Sequence, residues 1–148
     1  MDEEGLIHPA GTAVQRRRFG RTVDDGAAAL PAPGIAVIIG AQGGIGAALL
    51  QAATDHWLFD LVCGFGRTTE VALDLLDESS IAATASAISR QQRPVSLIID
   101  ATGVLAADGA RAEKALRELD PAAMARAFAI NSIGPALLMK HLLPLLPI

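Results

Sequence analysis

Tyrosine is absent from the 148 residues, and cysteine and tryptophan occur once each. Without tyrosine no phenol is available as a proton donor. The single thiol, Cys63, excludes an internal disulfide and any multi-cysteine metal site, so no metal centre is expected. That cysteine usage fits a reducing, cytoplasmic compartment. Positive charge is also scarce. Twelve Lys and Arg against 16 Asp and Glu leave a net charge of −4, which argues against nucleic acid or an anionic membrane surface as the main partner. The opening stretch "MDEEGLIHPA" carries acids and leads into no long apolar region, so it does not read as a secretory signal.

Charge is missing altogether between Gly26 and Thr54, and by hydropathy alone that span resembles a membrane helix. It also holds Pro31, Pro33, six glycines and Gln42. A lipid-exposed helix tolerates such breakers only with neighbouring support, so no membrane partner is expected.

What is present is apolar and patterned. Hydrophobic residues make up 51% of the chain and charged ones 19%, enough apolar material for the core of one globular domain. Residues 1–34 mix charge blocks with Gly, Pro and Ala and show no sustained period, which predicts a disordered N-terminal extension. Its basic stretch "RRRFGR" is flanked by acids and reads as solvated.

From Ile35 onward strands alternate with helices. "IAVIIG" predicts a buried strand, "GIGAALLQAATDH" a helix, "LFDLVCGF" a second strand and "TEVALDL" a third. "DESSIAATASAISRQ" predicts a helix with acidic and serine capping candidates, and "PVSLIID" a fourth strand. "GARAEKALREL" predicts a short amphipathic helix. "DPAAMARAFAINSIGPALLMKHLLPLL" predicts a long one, with Asp120 as N-cap and Pro121 at the first position. The alternation implies a parallel sheet in an α/β layered fold.

The stretch "VIIGAQGGIGAALL" places glycines where an apolar strand hands over to a helix. With the spacing Gly40-x-x-x-Gly44-x-Gly46, Gly40 permits a tight turn and Gly44 close approach of a pyrophosphate to the backbone. Gly46 permits close packing of helix on sheet. The N–H groups and dipole at the helix start then favour phosphate. Ala47 and Ala48 stand where a nucleoside-triphosphate loop requires Lys and Ser or Thr, which excludes that class. A ligand-free tight turn is the alternative at this point.

"GAQGGIG" resembles the cofactor loop of the short-chain dehydrogenases/reductases, and three further stretches follow it in that family's order. "LDLLDESSIAATASAI" is similar to the end of the family's third strand and the next helix. "LIIDATGVL" is similar to its Asn-Asn-Ala-Gly stretch, and "AFAINSIGPALLMKHLLPLL" to the helix bearing its active-site Asn. The resemblance covers residues 35–148 and is nearest to the subgroup that includes the bacterial C-factor signalling protein. It implies a Rossmann-like, doubly wound parallel sheet, reaching here only through the fourth strand and the long helix after it. It also implies an oxidoreductase that moves a hydride between a nicotinamide dinucleotide and a small carbonyl or alcohol. It assigns Gly40, Gln42, Gly43, Gly44, Ile45 and Gly46 to the cofactor loop, Asp74 and Leu75 to the adenine, Ala101 and Gly103 to the loop after the fourth strand, and Asn131 to catalysis. Asp100, Ala101 and Thr102 depart from the family's pattern, as does Ile39, where the family usually has Thr.

In dinucleotide folds a carboxylate ending the second strand binds the ribose 2′-hydroxyl, whereas a nearby Arg accommodates a 2′-phosphate. Here the strand runs into "CGFGRTT", with no carboxylate in reach and Arg67 followed by two hydroxyl residues. This favours NADP(H) over NAD(H), since the guanidinium is a planar fork suited to phosphate. A solvated loop arginine is the alternative.

On the long helix, Met124, Phe128, Asn131, Pro135, Leu138 and Leu142 fall on one stripe. A polar Asn on such a stripe needs a partner, and a satisfied structural hydrogen bond is one reading of it. Pro135 removes the hydrogen bond to the carbonyl four residues earlier, that of Asn131, and so predicts a kink with a freed acceptor there. In the family the resemblance points to, that carbonyl holds a water of the proton relay.

The family's Ser and its Tyr-x-x-x-Lys have no counterpart here. The chain stops at "LLPLLPI", where the resemblance puts the start of a fifth strand. His141 and Lys140 read as partly exposed and solvated helix residues. The expectation is the cofactor-binding N-terminal part of an oxidoreductase, inactive alone, whose substrate belongs to a longer parent. "PVSLIID" would then be an open edge able to pair with a second copy or a complementary C-terminal fragment. A non-catalytic nucleotide-binding or interaction module, or a degenerate fragment, is the alternative.

Overall fold

The computed structural model describes residues 34–56, 58–106 and 111–147. The expected N-terminal extension, with its basic stretch, lies outside them apart from Gly34, which opens the first strand. Three parallel strands form one sheet: β1 (Gly34–Ile39) in the centre, β2 (Phe59–Phe65) on one side and β3 (Val95–Asp100) on the other. All of β1 is buried, as expected of a β-branched run covered on both faces.

Alternate residues of β1 feed two cores. Ala36 and Ile38 pack with Val62, Leu50 and Ala53, under helix α1 (Gly44–Asp55). Ile35, Val37 and Ile39 pack on the opposite face with Ile81 and Ile88 of α2 (Glu78–Ser89) and with Leu138 and Leu142 of α4 (Gly134–Leu142). Helices therefore cover both faces, and the chain leaves β1 first toward β2 and later toward β3. That reversal creates a switch point at the carboxyl ends of the strands, where ligands of such sheets bind. Cys63 lies inside β2, and burial pushes its thiol up to about 11.

The α2 cap matches its sequence signal: Asp77 Oδ1 accepts the Ser79 N–H at 2.9 Å, and the Ser79 hydroxyl, 2.6 Å away, holds the Asp77 carboxyl below its usual range. The next expectation is corrected. "TEVALDL" alternates as a strand should, with Leu73 and Leu75 buried and Ala72 and Asp74 exposed, yet it makes one isolated bridge, Gly66 to Ala72. Local side chains take over the backbone groups that a ladder would need. The Ser80 hydroxyl accepts the Asp74 N–H at 2.9 Å, and Asp74 Oδ1 accepts the Leu76 N–H at 2.9 Å. Within "GARAEKALREL", the described residues form one short 3-10 turn, Leu116–Glu118, rather than an amphipathic helix.

The long helical segment begins where Asp120 Oδ1 accepts the Ala123 N–H at 2.7 Å, with Pro121 in the first turn. It is not one continuous α-helix. α3 (Pro121–Phe128) runs into a π-helical turn, Ala129–Ile133, before α4 begins at Gly134, next to Pro135. The Gly134 N–H reaches back to the Ala129 carbonyl, one residue further than an α-helix allows. One extra residue rotates the following face by about 100°. This separates the expected stripe: Leu138 and Leu142 are buried, whereas Met124 and Phe128 are exposed.

The segment Pro121–Leu145 is long and apolar enough to cross a membrane by length and composition, with mean hydropathy 1.3. It is nevertheless tied to the sheet unit. A Cβ at Gly134 would stand 2.6 Å from Leu75 Cβ. Glu78 Oε1 meets Lys140 Nζ at 2.6 Å and His141 Nε2 at 2.9 Å. Lys140 is thus exposed but paired, and its hydrogen bond, followed by that of His141, holds the Glu78 carboxyl below its usual range. Between Gly34 and Thr54 the structure is strand, turn and helix, not one bilayer-crossing helix.

Candidate functional site

All three strands deliver their carboxyl ends to one cleft of about 580 Å³. The loop after β1 supplies Gly40, Gln42 and Gly43, and that after β2 supplies Gly66 and Arg67. The loop after β3 supplies Ala101, Thr102, Gly103, Val104 and Ala106. Residues 73–76 close one side, and Arg126 and Ile130 of the long helical segment another.

The turn from β1 into α1 depends on two glycines for different reasons. Gly40 has φ +77, which L side chains rarely adopt, and its N–H donates to the Phe65 carbonyl at 2.8 Å. At Gly46 a Cβ would lie 2.0 Å from the Gly40 carbonyl oxygen, so the first turn of the helix can sit on the loop only because no side chain intervenes. A Cβ at Gly44 would meet nothing within 4 Å. N-cap Gly43 has no side chain to cap the helix, whose first intrahelical bond runs from the Ala47 N–H to the Gly43 carbonyl at 2.8 Å. The earlier amides of that turn are therefore the orphan donors of a helix start, aligned with its positive dipole end. A backbone cradle lined by hydrogen suits a diphosphate.

Eight of the sequence-predicted residues line the cleft: Gly40, Gln42, Gly43, Arg67, Asp74, Leu75, Ala101 and Gly103. Gly44, Ile45 and Gly46 form the adjoining helix start. Arg67 is exposed, and the carboxylate nearest the start of β2, Asp60, is 3.3 Å from Arg93 at the other end of the sheet. Asp74 is placed by its own loop, as described above.

Asn131 lies within the π turn and does not line the cleft directly. Its Nδ2 donates to the Val104 carbonyl at 2.7 Å and its Oδ1 accepts the Val104 N–H at 2.9 Å. The carboxamide is satisfied by the loop after β3. In "DATG", Asp100 Oδ1 accepts from the Thr102 N–H at 2.9 Å and the Thr102 hydroxyl at 2.5 Å, so this carboxylate braces its own loop. The Ala101 N–H continues the ladder to the Ile39 carbonyl at 2.9 Å.

Sequence reasoning missed Thr102, Val104, Arg126 and Ile130 as cleft residues. Arg126 and Ile130 are one helical turn apart on the stretch before Asn131, and that spacing was the available signal.

Comparison of the coordinates with solved structures decides the fold. The NADPH-bound carbonyl reductase from chicken fatty liver superimposes with a TM-score of 0.65 at 21% identity, over 76% of this chain and 48% of that one. A short-chain dehydrogenase from Streptomyces avermitilis gives 0.63 at 24% identity, over 76% and 44%. The fold is that of the short-chain dehydrogenases/reductases. A metagenomic short-chain oxidoreductase in complex with NADP gives 0.61 at 24% identity, over 75% and 55%. The chain thus spans about half the length of the short-chain dehydrogenase structures it matches. No family model and no curated protein sequence matches it.

Proposed function

We propose that this chain is a short-chain dehydrogenase/reductase segment that binds NADP(H) in the cleft at the strand ends. The observation that supports this reading most is the convergence of three strand-end loops on one cleft beside a helix start without a capping side chain. The residues fit the cofactor. The amides at the start of α1, Gly44 to Gly46, take the pyrophosphate, the loop with Asp74 and Leu75 takes the adenine, and Ala101 to Val104 take the nicotinamide-side ribose. Arg67, in the turn after β2, takes the 2′-phosphate. Bound there, the nicotinamide supplies or accepts a hydride.

This chain's own residues bind and orient. Asn131 holds the loop after β3 through its carboxamide, and its carbonyl, which Pro135 cannot reach with an N–H, is assigned to the water of a proton path. No tyrosine is present among the 148 residues. We therefore assign the reduction of a small carbonyl, or oxidation of an alcohol, to a longer parent polypeptide in the cytoplasm, and none to these residues alone. The same absence favours, as a second reading, a nucleotide-binding module without chemistry. Calorimetric titration with NADPH and NADH tests the cofactor assignment. NADPH is expected to bind more tightly; tighter NADH binding, or none of either, overturns it.

A further inference from the structure

The turn that follows β2 is held from two sides. From within, the Thr69 hydroxyl lies 2.7 Å from the Gly66 carbonyl oxygen and accepts the Gly66 N–H at 3.1 Å. From across the cleft mouth, Gln42 Oε1 accepts the Thr68 N–H at 3.2 Å while its Nε2 donates to the Thr68 hydroxyl. Gln42 lies close over Gly66, where a Cβ would stand 2.8 Å from Gln42 Oε1. Arg67 sits between these two anchored residues. It lines the cleft, and no hydrogen bond or ion pair engages its guanidinium among the described residues.

A carboxamide that both donates to and accepts from one residue fixes the orientation of that residue as well as its distance. We propose that Gln42 is a positioning residue for ligand selection: it holds the 66–69 turn so that Arg67 is preset to meet a phosphate on the 2′-oxygen of a bound adenosine. This rests on the reading of Arg67 given above and adds the device that presets it. Arginine has many rotamers, and a backbone held in place removes part of the ordering cost of binding. Gln42 thus acts through Arg67 rather than by touching the 2′-phosphate.

The test uses the 148-residue chain with two probes that lack nicotinamide, adenosine 2′,5′-bisphosphate and adenosine 5′-phosphate. The readout is the ratio of their dissociation constants in wild type, Gln42→Met, Thr68→Val, Arg67→Ala and the Gln42→Met/Arg67→Ala double variant. Arg67→Ala is expected to abolish the preference for the bisphosphate. Gln42→Met and Thr68→Val are each expected to reduce the ratio by about threefold to tenfold, whatever change each makes in the affinity for adenosine 5′-phosphate. Gln42→Met should have no further effect on the ratio once Arg67 is gone. If Arg67→Ala abolishes the preference while Gln42→Met and Thr68→Val leave the ratio unchanged, or weaken both probes equally, the positioning role is wrong and the Arg67 reading stands. If Arg67→Ala leaves the ratio unchanged, the Arg67 reading is wrong and the positioning role falls with it.

Discussion

Asn131 and Val104, 27 positions apart in the chain, exchange two hydrogen bonds, at 2.7 and 2.9 Å. The pair closes the loop after β3 against the long helical segment, and that loop is one wall of the cleft. Asn131 is therefore a fastener for the site.

Replacing Asn131 with Leu removes both bonds and leaves the backbone groups of Val104 without that partner. A loss of about 1–3 kcal/mol is expected in chemical denaturation, together with weaker dinucleotide binding. Unchanged stability and unchanged affinity would show that the loop is held by something else.

Two glycines of the same turn should respond in opposite ways. Gly46→Ala forces a Cβ to within 2.0 Å of the Gly40 carbonyl oxygen, a backbone atom that cannot swing aside. It is expected to cost up to about 3 kcal/mol, read as a lowered Tm. Gly44→Ala places its methyl in open space and should leave Tm unchanged or slightly raised. It should weaken NADPH binding by about tenfold, since the methyl occupies the approach of the diphosphate. Equal Tm losses for both variants would contradict these separate roles.

How far such features could be read in advance depended on the range of the interactions. The glycine turn, β1 and the N-caps of α2 and α3 are local, and "GAQGGIG", Asp77 and Asp120 announce them. "TEVALDL" alternates, with Leu73 and Leu75 buried and Ala72 and Asp74 exposed, and so reads as a strand. It makes one isolated bridge rather than a ladder, because pairing needs a neighbouring edge and Ser80 and Asp74 offer the backbone a nearer partner. Pro135 marked a disturbance of the helix, but the π turn that rotates Met124 and Phe128 away from the core depends on how both halves pack. Thr102 and Val104 adjoin the predicted Ala101 and Gly103, and Arg126 and Ile130 are one helical turn apart. Which face of the helical segment meets the cleft, however, is set by packing between segments distant in sequence.

Thr84 of α2 is fully buried, and its hydroxyl has no hydrogen-bond partner among the described residues. Thr84→Val keeps the branched shape and removes the unsatisfied oxygen. The variant should be more stable by about 1 kcal/mol, visible as a higher denaturation midpoint at unchanged m-value. A less stable variant would mean that the hydroxyl is satisfied in solution.

The contact of Glu78 with Lys140 and His141 joins α2 to α4, and it holds the Glu78 carboxyl below its ordinary range. A depressed carboxylate stabilises the fold above its unfolded-state value, near about 4.3, and loses that contribution as pH falls through the lower, folded-state value. The Tm advantage of wild type over Glu78→Gln should be present at neutral pH and vanish on acidification below that range. The pair is exposed, so the advantage should also shrink in high salt. An advantage that persists in acid would rule out this ion pair as its source.

The decisive observation is a crystal structure of the chain grown or soaked with NADPH. The expected density places the pyrophosphate within hydrogen-bonding distance of the main-chain amides of Gly44 to Gly46 at the start of α1, with the adenine beside Leu75. A cradle left empty at saturating NADPH, or a dinucleotide held elsewhere on the surface, would contradict the assignment of this cleft.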